Sequence, residues 1–343
     1  MNKQLTIIIP TYNMQNYLHR CLDSLLLSDE QMNLLEVLVI NDGSKDNSSA
    51  IAHEYEVRYP KTFRVIDKEN GNYGSCINRG LKEATGKYIK VLDADDWFDT
   101  NELASFIQEL PTVSVDLILT DFSVFNAQAQ ISSLAYHPSI KVGEVLDFSL
   151  CTLDELSVYM MHAVTYKTEL LRSIRYVQTE GISYTDNEWT YNPLYAVSTM
   201  MYFDYNIYQY LIGREGQTMD PKVMARSISH FEIIARSLIQ NYIEHKPKGF
   251  AQTTIEREIR LIIEKVYRTR LVLQDESLFD NGQMAAFDEF VKAYNSQLYR
   301  ELGRLTLKNG LPIPYVLYWR VFKHRFPVDM VRNLYRGVKY GKK

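Results

Sequence analysis

Three carboxylates lie within four residues of one another, at Asp93, Asp95 and Asp96. Their charges repel, so the cluster needs either a divalent cation or full solvation. Hard oxygen ligands suit Mg²⁺ or Mn²⁺, and either ion can bridge the two phosphates of a nucleoside diphosphate. The alternative is an acidic turn that caps a helix starting near Asn101. Because the cluster directly follows the apolar run 88–92, we favour a metal site.

Each of four apolar runs in the first hundred residues is followed by a polar loop. The runs cover residues 6–10, 36–40, 63–66 and 88–92, and the loops cover residues 10–13, 41–48, 67–74 and 93–96. Segments with helical spacing separate the runs, at residues 17–26, 48–59 and 75–85. Alternating strands and helices predict an α/β fold whose parallel strands bind ligands beyond their carboxyl ends. We therefore expect the four loops to meet at one edge of the sheet.

The pattern changes after the fourth run. Residues 117–125 and 201–211 predict further strands, separated by helical segments, so the sheet is expected to be mixed there. Helical patterns dominate the remainder, at residues 223–242, 254–273 and 284–302. We predict one domain over residues 1–215 and a helical C-terminal region over residues 216–343.

Composition limits the class of protein. The 343-residue chain has a formal net charge of −4 and three cysteines without paired spacing, so neither a disulfide framework nor a zinc site is indicated. No apolar targeting segment precedes the first strand, and no run approaches the roughly 18 apolar residues that span a bilayer. We expect a cytoplasmic protein.

Positive charge is concentrated in residues 311–343, which contain eight basic residues and one acid. An acidic body with a basic tail argues against general nucleic-acid binding and indicates one localised anionic contact. Aromatic and aliphatic residues between the charges are typical of a segment that lies in a membrane interface. We expect a peripheral contact with anionic lipid; the alternative is a basic surface on a packed subdomain.

Four short segments have a recognisable order and spacing. They are IIIPTYN at residues 7–13, VINDGSKD at 39–46, ENG at 69–71 and VLDADD at 91–96. Together they resemble the family 2 glycosyltransferases with the GT-A fold. The resemblance implies a nucleotide-binding mixed sheet flanked by helices, with residues 1–215 as the catalytic domain and a helical C-terminal region behind it.

The resemblance also implies an activity and a set of residues. The expected enzyme is an inverting, metal-dependent hexosyltransferase that moves a sugar from a UDP-sugar donor to a hydroxyl of a glycan or lipid-linked acceptor in surface-polysaccharide synthesis. The implied donor-binding residues are Pro10, Thr11, Tyr12, Asp42, Asn72, Asp93 and Ala94. Asp42 is expected to accept from a uracil N–H, Asp93 to face the ribose, and Asp95 to hold Mn²⁺ or Mg²⁺.

Inversion requires a general base, because the acceptor hydroxyl must lose its proton during direct displacement. In the resembling family the base is the aspartate of a Glu-Asp pair, with an aromatic residue three positions later. Asp186 and Trp189 fit that frame, although Thr185 stands in place of the glutamate. Asp186 is the expected base and Glu188 is a rival. The alternative is that Asp186 only caps the next helix.

Two positions concern the diphosphate. Many family members carry arginine where this chain has Ile77, before the matching Asn78. Arg79 could substitute from the next turn, or it could be a solvated helix residue. Arg214, between two glycines after the last predicted strand, resembles part of a mobile loop that closes over the diphosphate. A plain domain linker is the alternative there.

Two other classes of protein stay open. A sugar nucleotidyltransferase also uses an α/β nucleotide fold and Mg²⁺, but it normally has a glycine-rich basic loop where this chain has residues 10–13. A catalytically inactive nucleotide-sugar-binding or scaffold protein could share the fold. The presence of both Asp95 and Asp186 favours an enzyme.

Overall fold

The computed structural model describes residues 2–129, 131–136, 139–152, 160–213, 221–274, 276–306 and 314–322. The chain divides into two compact units. The first comprises Met1–Gln217 with His245–Ile255, and the second comprises Thr218–Glu244 with Glu256–Lys343. Within the described ranges, no helix has both the length and the apolar character needed to cross a membrane.

The first unit is built on one ten-stranded sheet. Its strands are β1 (Leu5–Thr11), β2 (Leu35–Asn41), β3 (Phe63–Asp67), β4 (Tyr88–Val91), β5 (Trp97–Phe98), β6 (Leu117–Asn126), β7 (Ile131–Ala135), β8 (Val145–Asp147), β9 (Val164–Lys167) and β10 (Thr199–Ile212). Hydrogen-bonded neighbours follow the order β3-β2-β1-β4-β9-β6-β10-β5, with β7 beside β6 and β8 beside β10. The first four strands pair in parallel, whereas β9 is antiparallel to β4 and β6. The mixed sheet predicted from the sequence is confirmed.

Helices flank the sheet and make up most of the second unit. They are α1 (Leu18–Asp23), α2 (Asp29–Leu34), α3 (Ser48–Arg58), α4 (Asn72–Glu83), α5 (Thr100–Glu109), α6 (Thr168–Ser173), α7 (Asp186–Tyr191), α8 (Pro221–Arg226), α9 (Ile228–His245), α10 (Gly249–Arg268), α11 (Asn281–Tyr294), α12 (Ser296–Leu302) and α13 (Tyr315–Phe322). α4 begins three residues before the predicted start. The predicted helix 284–302 is two helices, because Asn295 is extended and its side chain caps α12 by accepting from the backbone N of Gln297 and Leu298.

The central strands β1 and β2 are buried on both faces, which explains why the sequence shows them as continuous apolar runs. Glu36 is a buried acid in β2. Its carboxylate accepts from Thr6 Oγ1 at 2.6 Å and from the Thr85 backbone N at 2.7 Å. Gly86 follows, where a Cβ would lie 2.6 Å from the Thr6 backbone N. These contacts fix β4 against β1 and thereby position the acidic cluster that follows β4.

Two buried ion pairs stabilise the second unit. Arg270 donates to Glu232, and the Arg270 side chain is only 3% exposed. Arg320 on α13 donates to Asp288 Oδ1 at 2.8 Å and to the Tyr299 carbonyl at 2.7 Å. Arg320, one of the eight basic residues of the predicted tail, therefore makes its contacts within the unit, and its side chain is 11% exposed. The other seven basic residues of the predicted tail, within residues 323–343, lie outside the described residues.

Candidate functional site

The carboxyl ends of β1, β2, β3 and β4 lie side by side, so their loops meet at one edge of the sheet. Backbone hydrogen bonds join the first three loops. The Asp42 N–H donates to the Thr11 carbonyl at 2.9 Å, and the Lys68 N–H donates to the Asn41 carbonyl at 3.0 Å. The loops after β1, β2 and β3 are thus joined along the edge that is expected to bind a ligand.

A pocket of about 500 Å³ lies among the loops that follow β1, β2 and β3. It is lined by Tyr12, Asn41, Gly43, Lys45, Asp67, Lys68, Glu69 and Asn70. Tyr12 is 46% exposed, so its ring can stack on a planar group. Of the other residues expected near a base, Thr11 and Asp42 are buried and Pro10 is half-buried. The pocket combines an aromatic face with a polar wall.

Asp42 holds the second and third loops together. Its Oδ1 accepts from Lys68 Nζ at 2.5 Å and from the Gly71 backbone N at 2.9 Å. Its backbone carbonyl accepts from Asn70 Nδ2 at 3.0 Å. Burial, followed by the Asp42 charge, raises the pKa of the nearby Cys76 thiol to about 12. Asp42 is therefore a buried carboxylate in a fixed orientation.

The acidic cluster after β4 is compact. One carboxylate oxygen from each of Asp93, Asp95 and Asp96 lies within 4.8 Å of the others. Asp96 is already bound by the protein, since its Oδ2 accepts from the Tyr208 hydroxyl at 2.7 Å and its Oδ1 from the Leu211 backbone N at 2.8 Å. Burial, followed by the charges of Asp95 and Asp93, raises the pKa of Asp96 well above its usual value. A cation beside the cluster would offset this repulsion.

The backbone around Asp95 is anchored from behind. Its carbonyl accepts from Arg20 Nη2 at 2.8 Å, and the Arg20 guanidinium stacks over the Trp97 ring at 3.9 Å. Ala94 is 2% exposed, so its side chain is buried. The turn that presents the carboxylates is therefore rigid.

Tyr73 connects the third loop to the acidic cluster. Its hydroxyl donates to Asp93 Oδ1 at 2.9 Å. Burial, then the charges of Asp93 and Asp186, raise the pKa of Tyr73 well above its usual value. The charge of Asp186 therefore acts on a tyrosine that is bonded to the cluster. Asn72, with a left-handed φ of 65°, directly precedes Tyr73.

The two acids of α7 have different surroundings. Asp186 is the first residue of the helix and Thr185 is its N-cap, so Asp186 is not the cap residue. Glu188 is 1% exposed. Its Oε2 accepts from the Thr179 backbone N and its Oε1 from Thr179 Oγ1, both at 2.7 Å. Both oxygens of Glu188 therefore hold the loop that precedes α7.

That loop is clamped to α4 by residues that the sequence analysis did not assign to this role. Asn78 Nδ2 donates to the Gln178 carbonyl at 2.9 Å, and Asn78 Oδ1 accepts from the Gln178 backbone N at 2.8 Å. Gly74 permits a close approach, because a Cβ there would lie 2.0 Å from the Thr179 carbonyl oxygen. The clamp fixes where α7, and hence Asp186, begins.

The predicted phosphate contacts stay predictions. Ile77 is fully buried. Arg79 Nε donates to Glu83 Oε1 at 3.0 Å on the same helix, and its side chain is 42% exposed, which fits the alternative of a solvated helix residue. Arg214 lies outside the described residues.

Residues 6–174 match the family model described as "Glycosyl transferase family 2". This match supports the assignment to the family 2 glycosyltransferases that the four sequence segments predicted. The chain is similar to the uncharacterized glycosyltransferase MG025 of Mycoplasma genitalium, with 46% identity over 95 residues. That alignment covers 27% of this chain and 32% of MG025, so the match spans about a third of the relative's length.

Two solved structures are similar in fold. S. aureus TarS 1-349, in complex with UDP-GlcNAc, has a TM-score of 0.65 at 18% identity, covering 98% of this chain and 92% of that chain. The mannosyltransferase PcManGT from Pyrobaculum calidifontis, in complex with GDP-Man and Mn2+, has a TM-score of 0.50 at 14% identity, covering 100% of this chain and 89% of that chain. The likeness confirms the expected GT-A fold with C-terminal helices.

Proposed function

We propose that this chain is an inverting, metal-dependent glycosyltransferase that transfers a sugar from a UDP-sugar to a hydroxyl of a glycan or lipid-linked acceptor. The observation that carries the proposal is the compact acidic cluster after β4, at the sheet edge where the loops of β1, β2, β3 and β4 meet, in a chain that matches the glycosyl transferase family 2 model. The metal ion that activates the donor and the base that takes the acceptor proton must lie close together, because both act on the same transfer step. In this proposal residues 1–215 are the catalytic domain and residues 216–343 the helical region.

The acidic cluster has the donor set of a divalent-cation site. Carboxylate oxygens are the hard ligands that Mg²⁺ and Mn²⁺ prefer. Because Tyr208 and Leu211 occupy both oxygens of Asp96, we assign the ion to Asp95 with help from Asp93. When bound, the ion would offset the negative charge of the diphosphate leaving group. The Mn2+ in the PcManGT complex supports this choice of ion class.

The pocket beside the cluster is assigned to the nucleoside of the donor. Tyr12 would stack on the base, with Asp42 accepting from its N–H and Asp93 facing the ribose. The remaining proposed contacts are Pro10, Thr11, Asn72 and Ala94, with Arg214 closing over the diphosphate. The UDP-GlcNAc bound by TarS supports a UDP-sugar as the donor.

Asp186 carries out the proton transfer in this proposal. Its carboxylate takes the proton from the acceptor hydroxyl while that oxygen bonds to the anomeric carbon of the donor sugar. The bond from this carbon to the diphosphate breaks on the opposite face, and UDP leaves with the bonding electron pair. The configuration at the carbon is therefore inverted. Glu188 is not assigned this role, because both of its oxygens hold Thr179.

The acceptor is proposed to be a lipid-linked saccharide of a surface polysaccharide at the cytoplasmic face of a membrane. Residues 323–343 contain seven basic residues, which suit contact with anionic lipid. α13 directly precedes them and exposes Leu317, Tyr318, Val321 and Phe322. Exposed apolar residues beside positive charge favour a peripheral membrane contact.

A screen of UDP-, GDP- and dTDP-sugars by thermal shift, with and without Mn²⁺, tests the donor assignment, since a ligand that binds the folded state raises its stability. The proposal predicts a Mn²⁺-dependent shift with a UDP-sugar, followed by release of UDP on turnover. An inactive binding or scaffold protein would give the shift without turnover. A sugar nucleotidyltransferase would instead release pyrophosphate from a nucleoside triphosphate.

A further inference from the structure

Lys68 lines the pocket but uses its ammonium group internally. Its Nζ donates to Asp42 Oδ1 at 2.5 Å, to the Glu69 carbonyl at 2.6 Å and to Ser75 Oγ at 2.8 Å. A lysine ammonium has three N–H donors, so these three acceptors use all of them. The side chain is only 18% exposed. Lys68 therefore has no N–H left to donate to a phosphate. One of its three hydrogen bonds holds the Asp42 carboxylate.

The bonds made by Asp42 limit what it can accept from a ligand. A carboxylate has about four acceptor directions, two on each oxygen. Lys68 and the Gly71 backbone N fill those of Oδ1. About two directions, both on Oδ2, are left for a ligand.

Nucleobases differ in the number of donors that they present to a carboxylate. Uracil has one N–H, at N3, with a carbonyl on either side. Guanine has an N1–H and an exocyclic amine on the same edge, and a carboxylate pairs with these two donors by using both of its oxygens. Because Oδ1 of Asp42 is already occupied, the pair of donors on guanine has no matching pair of acceptors.

We infer that Lys68 determines the base specificity of the donor site: by occupying Oδ1 of Asp42 it admits uracil and rejects guanine. This inference rests on the proposed function, in which Asp42 receives the base. It adds the residue that selects the donor class. Thymine presents the same N–H as uracil, so the selection is for the pyrimidine N–H and against the guanine edge.

Calorimetric titration of the full chain with UDP and with GDP, both in Mn²⁺, tests the inference. The unmodified chain should bind UDP about tenfold or more tightly than GDP, the discrimination expected of a bidentate base contact. Lys68→Met keeps the aliphatic stem and frees one acceptor direction of Oδ1, while the Gly71 backbone N keeps the other. Its UDP-to-GDP affinity ratio should fall to within about threefold of one. Lys82→Met removes an equal charge from an exposed position on α4, outside the pocket lining, and should leave the ratio unchanged.

A ratio near one in the unmodified chain overturns the inference, and this measurement requires no variant. An equal loss of affinity for UDP and for GDP in Lys68→Met also overturns the inference. That result would mean that Lys68 supports the structure of the pocket but does not distinguish the two bases. Thermal unfolding of each variant shows whether it is folded. Failure of the unmodified chain to bind either nucleotide contradicts the donor site of the proposed function, whereas tight but equal binding of both contradicts the Lys68 inference alone.

Discussion

Asp186 and Glu188 lie on the same short helix, and their surroundings predict opposite effects of substitution. Asp186→Asn removes the proposed base, so turnover should fall by a factor on the order of 10² to 10⁴ while the affinity for UDP stays nearly unchanged. Initial rates of UDP release and calorimetry measure the two quantities.

Glu188→Gln serves as the matched control. Its new amide N–H₂ would face the two donors of Thr179, so the free energy of unfolding should fall by about 1–3 kcal/mol. Turnover per folded molecule should fall far less than in Asp186→Asn. An inactive Glu188→Gln protein of normal stability would make Glu188 the base and contradict the assignment of Asp186.

Site residues were predictable from the sequence where they lie close to one another in the chain. Asp93 and Asp95 follow a buried strand within one short segment, so their proximity needed no knowledge of the fold. The partner of Asp96 was not predictable, because Tyr208 lies 112 positions away in the chain. Periodicity identifies Tyr208 only as part of a strand. The strand pairing that brings its hydroxyl to Asp96 is a property of the whole sheet.

At the scale of elements, the contact between α4 and the loop before α7 predicts that Gly74 cannot be enlarged. In Gly74→Ala the new Cβ would meet the backbone carbonyl of Thr179, which cannot rotate away as a side chain would. The free energy of unfolding should fall by about 1–3 kcal/mol. Turnover should fall as well, because the displaced loop carries Asp186. Chemical denaturation and initial rates measure these effects.

Gly181→Ala, in the same loop, is the control for that experiment. Gly181 has a φ of 79°, but a Cβ added there would meet open space, so alanine should cost only the backbone strain of about 1–2 kcal/mol. Turnover of Gly181→Ala should exceed that of Gly74→Ala. Equal turnover in both variants would show that the clamp does not position Asp186.

His53 links α3 to the end of β3 and gives that connection a pH dependence. Its Nε2 lies 2.8 Å from Asp67 Oδ2 and its Nδ1 lies 2.7 Å from Glu56 Oε2. The hydrogen bond to Asp67 is the largest cause of a raised pKa for His53. Protonated His53 stabilises the folded chain. This stabilisation is complete below the pKa of His53 in the unfolded chain, about 6.5, and is lost as the pH rises through its higher pKa in the folded chain.

Comparison of the unmodified chain with His53→Gln by urea denaturation should show this loss. The stability advantage of the unmodified chain should shrink between about pH 6 and pH 9. Because the His53 side chain is 43% exposed, the change should be about 1 kcal/mol or less. An advantage that stays constant or grows with pH would contradict the pairing.

Strands were predictable where an apolar run stands out from the residues around it. β1 and β2 are continuous apolar runs and were located directly from the sequence. β9, with the sequence VTYK, forms no such run and was missed, although it joins β4 to β6 in the sheet. The break between α11 and α12 was also missed, since the apolar spacing continues across Asn295 and only its capping bonds end the helix.

At the scale of the whole molecule, residues 323–343 are proposed to recruit the chain to anionic membranes. A truncation after Phe322 keeps α13, which buries Tyr315, Val316 and Trp319, and removes seven basic residues. Each basic residue near an anionic surface contributes about 1 kcal/mol, so the truncated chain should lose most of its binding. Co-sedimentation with anionic and neutral vesicles at low salt measures it. Equal sedimentation of both chains with anionic vesicles would contradict the recruitment.

The acidic cluster is proposed to hold a divalent cation that supports the nucleotide diphosphate. Calorimetric titration of the chain with UDP, in Mn²⁺ and again in excess chelator, tests this metal site, with Asp95→Ala measured beside the unmodified chain. The unmodified chain should bind UDP in Mn²⁺ and lose that binding in chelator, and Mn²⁺ should have little effect on Asp95→Ala. UDP affinity of the unmodified chain that is the same in Mn²⁺ and in chelator would contradict the metal site.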